Sequence, residues 1–289
     1  MEGITEAARA ETWVVDLVGR CNALIADPAY PAAARAIATN FLALGDADKA
    51  LGSVFKDAGR YITAMSVALL HGAGGLTLPR LKEICAASGF LSSGRARTLV
   101  QFLLHLGYIE AVPVRGNLVS YMPTPAFFAA WRSHVRAGLD AAARVEPRLT
   151  GLIARLDDAR VLEMFLQIQG QGLHALARVT DQTSIIQQLF LHRYGGMQIL
   201  WTLLAAGDDD MFPSDRPIKI MLGPTARRFD VSHVHIRRLL TDAIAADLLS
   251  SDTRGTVMFR PGTRDFLQFQ YAAQLIALID SGMATLDAI

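Results

Sequence analysis

Arginines, histidines and hydroxyls recur in two runs about 140 positions apart, on a background of apolar residues at helical spacing. In the second run Arg227 and Arg228 precede Phe229, Ser232 follows a short turn, and His233, His235, Arg237, Arg238 and Thr241 come next. In the first, Ser92 and Ser93 precede Arg95, Arg97, Thr98 and Gln101. Leu99, Phe102, Leu103 and Leu106, and likewise Ile236, Leu239, Leu240 and Ala243, fall on one helical face. Arginine forks match guanine edges and phosphates in two-pronged fashion, and hydroxyls or backbone amides at a helix start hold phosphate oxygens. The chemistry expected of such residues is therefore non-covalent recognition of a polyanion.

Charge agrees with this. The 289-residue chain carries a net +1, yet residues 80–115 hold five Lys/Arg against two Asp/Glu, and residues 216–260 hold eight against four. Positive charge is thus gathered on the two segments, and the remainder is net acidic. A content of 52% hydrophobic residues indicates a globular chain with large cores. Cys21 and Cys85 are too few and too far apart for a disulfide framework or a thiolate metal site. The first residues lack a signal-peptide pattern and no apolar run reaches a bilayer's width, so no membrane partner and a cytoplasmic location are expected.

Each basic run lies inside the same order of elements. A helix over 60–71 closes on Gly72, Gly74 and Gly75. A helix-turn-helix over 78–87 and 92–106 follows, then a hairpin from 108–114 and 118–122 turning at Arg115-Gly116-Asn117, then a helix begun by Thr124-Pro125. In the second half a helix ending near Leu203-Leu204 precedes the second helix-turn-helix. A hairpin turning at 252–255 and a closing helix over 264–280, capped by Pro261-Gly262-Thr263, complete it. Arg193-Tyr194 matches Arg60-Tyr61 by type and place. Around 146–190 further helices join the halves, with a break or kink expected at Gly170-Gln171-Gly172. Residues 4–26 form a leading amphipathic helix in this reading.

Helix-turn-helix, hairpin and flanking helices in this order resemble the MarR-like winged-helix regulators, and the resemblance covers most of each half. Asp252-Thr253-Arg254 looks like the Asp-x-Arg of that family's wing, which implies a groove or backbone contact for Arg254. The first wing keeps Arg115 at its tip but has Pro113 where the aspartate would stand. The resemblance implies a mainly α fold with small β-hairpin wings. Two tandem winged helix-turn-helix domains, 1–145 and 146–289, would form an intramolecular pseudo-dimer.

The expected partner is double-stranded DNA. Base-edge readers are Ser93, Arg95, Arg97, Thr98 and Gln101 in one helix and His233, His235, Arg237, Arg238 and Thr241 in the other. Arg80, Lys82, Arg227, Arg228, Ser92 and Ser232 are assigned to phosphates. Because the two helices differ, the site they read need not be symmetric. An asymmetric operator with half-sites about 10 bp apart follows, read by one chain acting as a pseudo-dimer, with further dimerisation left open. The same modules also serve elsewhere as protein-contact surfaces, which is the alternative. The resemblance further leaves room for a small aromatic or acidic effector in a cavity lined by Trp13, Met65, Trp131, Met164, Phe165, His174 and Trp201. No enzymatic role, cofactor or metal is expected. His233 and His235 point about 200° apart on a helix, and nucleophile, zincin and phosphate-loop motifs are absent from the sequence.

Overall fold

The computed structural model describes residues 16–87, 93–113, 119–179, 184–207, 210–253 and 255–289. Local side-chain chemistry starts most of its helices. Helix α1 (16–25) ends before Asp27-Pro28, and Pro31 lies in the first turn of α2 (Tyr30–Ala47). Asp48 caps α3 (Lys49–Val54) and Asp57 caps α4 (Ala58–Gly72), each accepting a backbone N–H three residues on. Strand β1 (Leu76–Thr77), helices α5 (Leu78–Ala87) and α6 (Ser93–His105), and strands β2 (Ile109–Pro113) and β3 (Val119–Pro123) follow. Thr124 and Pro125 start α7 (Pro125–Ala142) as a cap followed by proline.

Beyond α8 (Leu149–Ile153) and α9 (Ala159–Val179), a π-helical turn, Gln187–Leu191, leads into α10 (Gly196–Ala205). Strand β4 (Ile218–Lys219), helices α11 (Leu222–Phe229) and α12 (His233–Ala245), strands β5 (Leu249–Ser251) and β6 (Thr256–Phe259), and the long α13 (Pro261–Ala288) complete the chain. The fold is mainly helical with two small antiparallel sheets. Among the described residues no helix is long and apolar enough to cross a membrane.

The same β–α–α–β–β order occurs twice, and the sheets share one topology, β1-β3-β2 and β4-β6-β5. Ile109 pairs with Pro123 and Leu249 with Phe259. The turns leaving α6 and α12 repeat hydrogen bond for hydrogen bond. Tyr108 N donates to Leu103 O and Gly107 N to Leu104 O; Leu248 N donates to Ala243 O and Asp247 N to Ile244 O. That turn needs a left-handed residue. Gly107 supplies it at φ 69°, and Asp247 does so at φ 56° with its carboxylate 2.9 Å from Arg260. Thr124 N to Tyr108 O and Arg260 N to Leu248 O, both 3.0 Å, then tie each hairpin to the following helix.

The halves are joined by exchange. Helix α2 packs on α7 of its own half and on α10 of the other; α9 packs on α13 of its own half and across on α4. One continuous apolar core results, running from Cys21 to Leu278. The expected boundary at 145/146 lies between α7 and α8, but neither half buries its apolar surface without the other. At the first crossing Arg35, buried, donates to the carbonyls of Leu204 and Ala206 at 3.1 and 2.7 Å and closes the end of α10.

At the second crossing lies a departure from the sequence reading. Helix α9 runs unbroken through Gly170 and Gly172. A β-carbon on Gly170 would stand 3.2 Å from Leu69 Cβ of α4, and one on Gly72 would strike the Gln167 side chain. These glycines admit a neighbouring helix, and packing offsets their low helix propensity. Two further bounds differ from expectation. Helix α13 begins at Pro261, with Arg260 as its N-cap, rather than at 264, and it continues to Ala288 rather than ending at 280. Of the expected leading helix 4–26, residues 4–15 lie outside the described residues.

Candidate nucleic-acid interface

Helices α6 and α12 start at positions 140 apart and show corresponding faces. Ala96, Leu99, Val100 and Leu103 are buried in one, Ile236, Leu239 and Ala243 in the other. Outward stand Arg97, Thr98 and Gln101, and opposite them in sequence Arg237, Arg238 and Thr241, all exposed. His233 and Val234 are exposed at the first turn of α12. Ser232 caps α12, its Oγ accepting from His235 N at 3.0 Å, which sets the start of that helix as the sequence implied.

Arg95 and His235, both expected to read bases, are instead turned toward the middle of the molecule. Arg95 Nη2 donates to Asp57 Oδ1 at 2.8 Å, and His235 Nε2 lies 2.7 Å from Tyr194 O. A second pair of equivalent positions does the same. The Arg60 guanidinium sits 4.3 Å from the Phe102 ring on α6, and Arg193 Nη1 lies 2.6 Å from Asp242 Oδ2 on α12. Each helix is therefore pinned at its third and tenth residues to a segment near the join of the halves, by different chemistry in each half. Beside this join, His192 has its pKa lowered by burial and by the nearby Arg95 charge.

Other assigned residues are also accounted for. Arg80, expected on phosphate, folds back so that its guanidinium donates to Ala73 O and Gly75 O and closes the end of α4. Arg228 forms a two-pronged pair with Asp46 of α2, at 2.7 Å for the shortest contact, and remains partly exposed. Arg227 is exposed. Ser93 opens α6. Ser92, Arg115 and Arg254 lie outside the described residues.

The acids around α12 are largely occupied. Asp242 pairs with Arg193, Asp247 with Arg260, and Asp230 lies 3.4 Å from Lys56. Asp252 Oδ1 accepts from Thr256 N within the hairpin. Arg97, Arg227, Arg237 and Arg238 are in no ion pair with a described carboxylate, so the exposed edge of the second unit is cationic although the chain is nearly neutral.

The pinning residues Asp57, Arg60, Phe102, Arg193, Tyr194 and Asp242 were not singled out in the sequence as part of a site. The repeated Arg-Tyr pair at 60–61 and 193–194 was the one available signal.

The expected effector-lining residues are mostly core. Trp131 stacks on Phe127 at 4.9 Å and donates to Met65 Sδ at 3.2 Å; Trp201 packs edge-on against Phe41 and Phe55; Phe165 is buried. Trp13 and the side chain of His174 lie outside the described residues. A groove of about 520 Å³ beside the start of α13 and a void of about 20 Å³ at His134 and Gln169 are lined by other residues. Among the described residues no three His, Cys, Asp or Glu side chains gather as a metal site would require.

Comparison with protein-family models, with curated proteins and with solved structures finds no match for this chain.

Proposed function

We propose that the chain is a fused tandem winged-helix regulator that binds duplex DNA through α6 and α12. Arg97, Thr98 and Gln101 would serve one half-site and Arg237, Arg238 and Thr241 the other. The carrying observation is the set of exposed arginines at matched places, Arg97, Arg237 and Arg238, with no described carboxylate in reach, on helices whose opposite faces are buried. Such side chains are poised for phosphates and guanine edges. Their unlike identities favour an asymmetric site. Arg95 and His235 support the helices in this reading rather than touching bases. Arg227 and Arg228 border the second helix and suit backbone contacts.

Fluorescence anisotropy with a labelled random duplex pool tests the proposal. Affinity should fall steeply between about 50 and 200 mM salt, with a log–log slope of about 0.9 per neutralised phosphate. Sequencing of the bound fraction should then yield two unlike motifs.

A second reading has one observation in its favour. Met221 and Val234, 62% and 71% exposed, add apolar surface to the second helix-turn-helix, which suits protein contact as well as a thymine methyl group. Salt-insensitive or absent duplex binding would favour that reading.

A further inference from the structure

We infer that Tyr194 is the positioning residue that fixes the span between α6 and α12, so that the chain accepts its two half-sites at one separation only; this rests on the DNA-binding reading above. Tyr194 lies between the two pinned helices and is gripped from the first half. Its hydroxyl accepts from Lys56 Nζ at 2.7 Å, and the Arg60 guanidinium lies 4.9 Å from its ring. That same guanidinium faces Phe102 of α6, while Tyr194 O meets His235 of α12. A chain of contacts Phe102–Arg60–Tyr194–His235 thus runs from one helix to the other, with one residue, Tyr194, spanning the join between halves. Next to it Gly195 N donates to Lys56 O at 2.8 Å, a further bond across the join.

The segment that carries Tyr194 is held in shape. It follows the π-helical turn Gln187–Leu191, whose Gln187, Leu189 and Phe190 are buried. Gly195 takes φ 73°, and a β-carbon there would lie 2.9 Å from Val231 of the α11–α12 turn. A β-carbon on Gly196 would lie 2.3 Å from Phe190 O. Backbone so closely confined has few alternative positions, and what it contacts inherits its placement. Lys56 is buried and has the Tyr194 ring, the Tyr194 hydroxyl and exposed Asp230 as partners, so its ammonium is tied to the same residue. One base-pair step is about 3.4 Å along the duplex, so a span held to within a fraction of that distance selects half-site separation.

Two measurements test this. In the first, random duplexes of about 30 bp are selected on the full chain carrying wild-type sequence, Tyr194→Phe or Tyr194→Ala. Wild type should enrich two motifs at one separation, about 10 bp. Tyr194→Phe, which keeps the ring under Arg60 and the carbonyl toward His235, should keep that separation. Tyr194→Ala should enrich the same motifs spread over neighbouring separations, about one base pair to either side. An unchanged single separation in Tyr194→Ala, or loss of the motifs themselves, would overturn the inference. The second measurement needs no DNA. Spin labels at His105→Cys and Ala245→Cys, both exposed helix ends, in a Cys21→Ala, Cys85→Ser background, report the span directly. Tyr194→Ala should broaden the distance distribution about twofold while Tyr194→Phe leaves it narrow; equal widths would overturn the inference. If wild type enriches no motif, the DNA reading fails, while the label distances still decide whether Tyr194 sets the span.

Discussion

Arg95 Nη2 lies 2.8 Å from Asp57 Oδ1, joining the first turn of α6 to the cap of α4 through a carboxylate that is only 4% exposed. Asp57 also accepts from Arg60 N at 3.1 Å and lies 3.4 Å from Arg60 Nε. One side chain therefore ends a helix, pairs with two arginines and sets the pose of a third element. Asp57→Asn keeps a capping oxygen but loses the charge, and should cost about 1–2 kcal/mol. Asp57→Ala loses the cap as well and should cost about 2–3 kcal/mol, since the exposed part of Arg95 lets it return to water. Urea unfolding of the two variants checks the order.

His134 predicts a dependence on pH. It is enclosed by Phe41, Phe55, Trp131 and Tyr61, shares a 2.9 Å hydrogen bond with the Tyr61 hydroxyl, and burial pushes its pKa down to about 3. The fold therefore holds the neutral ring. Below about pH 6.5 the unfolded chain takes up a proton that the folded chain refuses, so this group's stability contribution is complete above that pH. It is lost as pH falls toward 3, at about 1.4 kcal/mol per pH unit. In His134→Phe that share of the slope should vanish. Unfolding midpoints from pH 7 down to about 5, compared between the two proteins, give the answer.

Two glycines one turn-half apart in α9 should behave oppositely. Gly172 is exposed with nothing near its missing β-carbon, so Gly172→Ala should stabilise by about 0.5–1 kcal/mol through helix propensity. Gly170 faces Leu69 Cβ at 3.2 Å, so the branched side chain of Gly170→Val should drive α9 from α4 and cost about 2 kcal/mol or more. Thermal unfolding of both variants would separate them by sign.

The contrast between these glycines marks where sequence patterns stop being informative. Patterns within a dozen residues were legible: Thr124-Pro125 and Ser232 as helix starts, the strand pairs around each hairpin, and the apolar faces of α6 and α12. Gly170 read as a break because low propensity is local, whereas the pressure of α4 that requires a glycine comes from about 100 residues away. The outward list for α6 and α12 was largely legible from periodicity. The inward turn of Arg95 was not, since its partner Asp57 is 38 positions distant and looks like any other N-cap. Arg80 misled for a related reason: a cation before a helix-turn-helix suits phosphate, but here two free carbonyls of the preceding turn lie closer.

Because Arg80 is spent on α4, it separates fold from binding. Arg80→Ala should lower stability by about 1 kcal/mol and leave duplex affinity within about twofold, whereas Arg97→Ala should leave stability unchanged and weaken binding. Paired unfolding and anisotropy measurements resolve the two effects.

The salt dependence of duplex binding in wild type and in Arg237→Ala/Arg238→Ala is the most direct test of the central claim. Wild type should give a steep linear fall of log affinity with log salt, and the double variant a slope shallower by about 1.8, about 0.9 for each lost contact. Equal slopes in the two proteins, or a wild-type affinity indifferent to salt, would contradict the claim that these helices bind DNA.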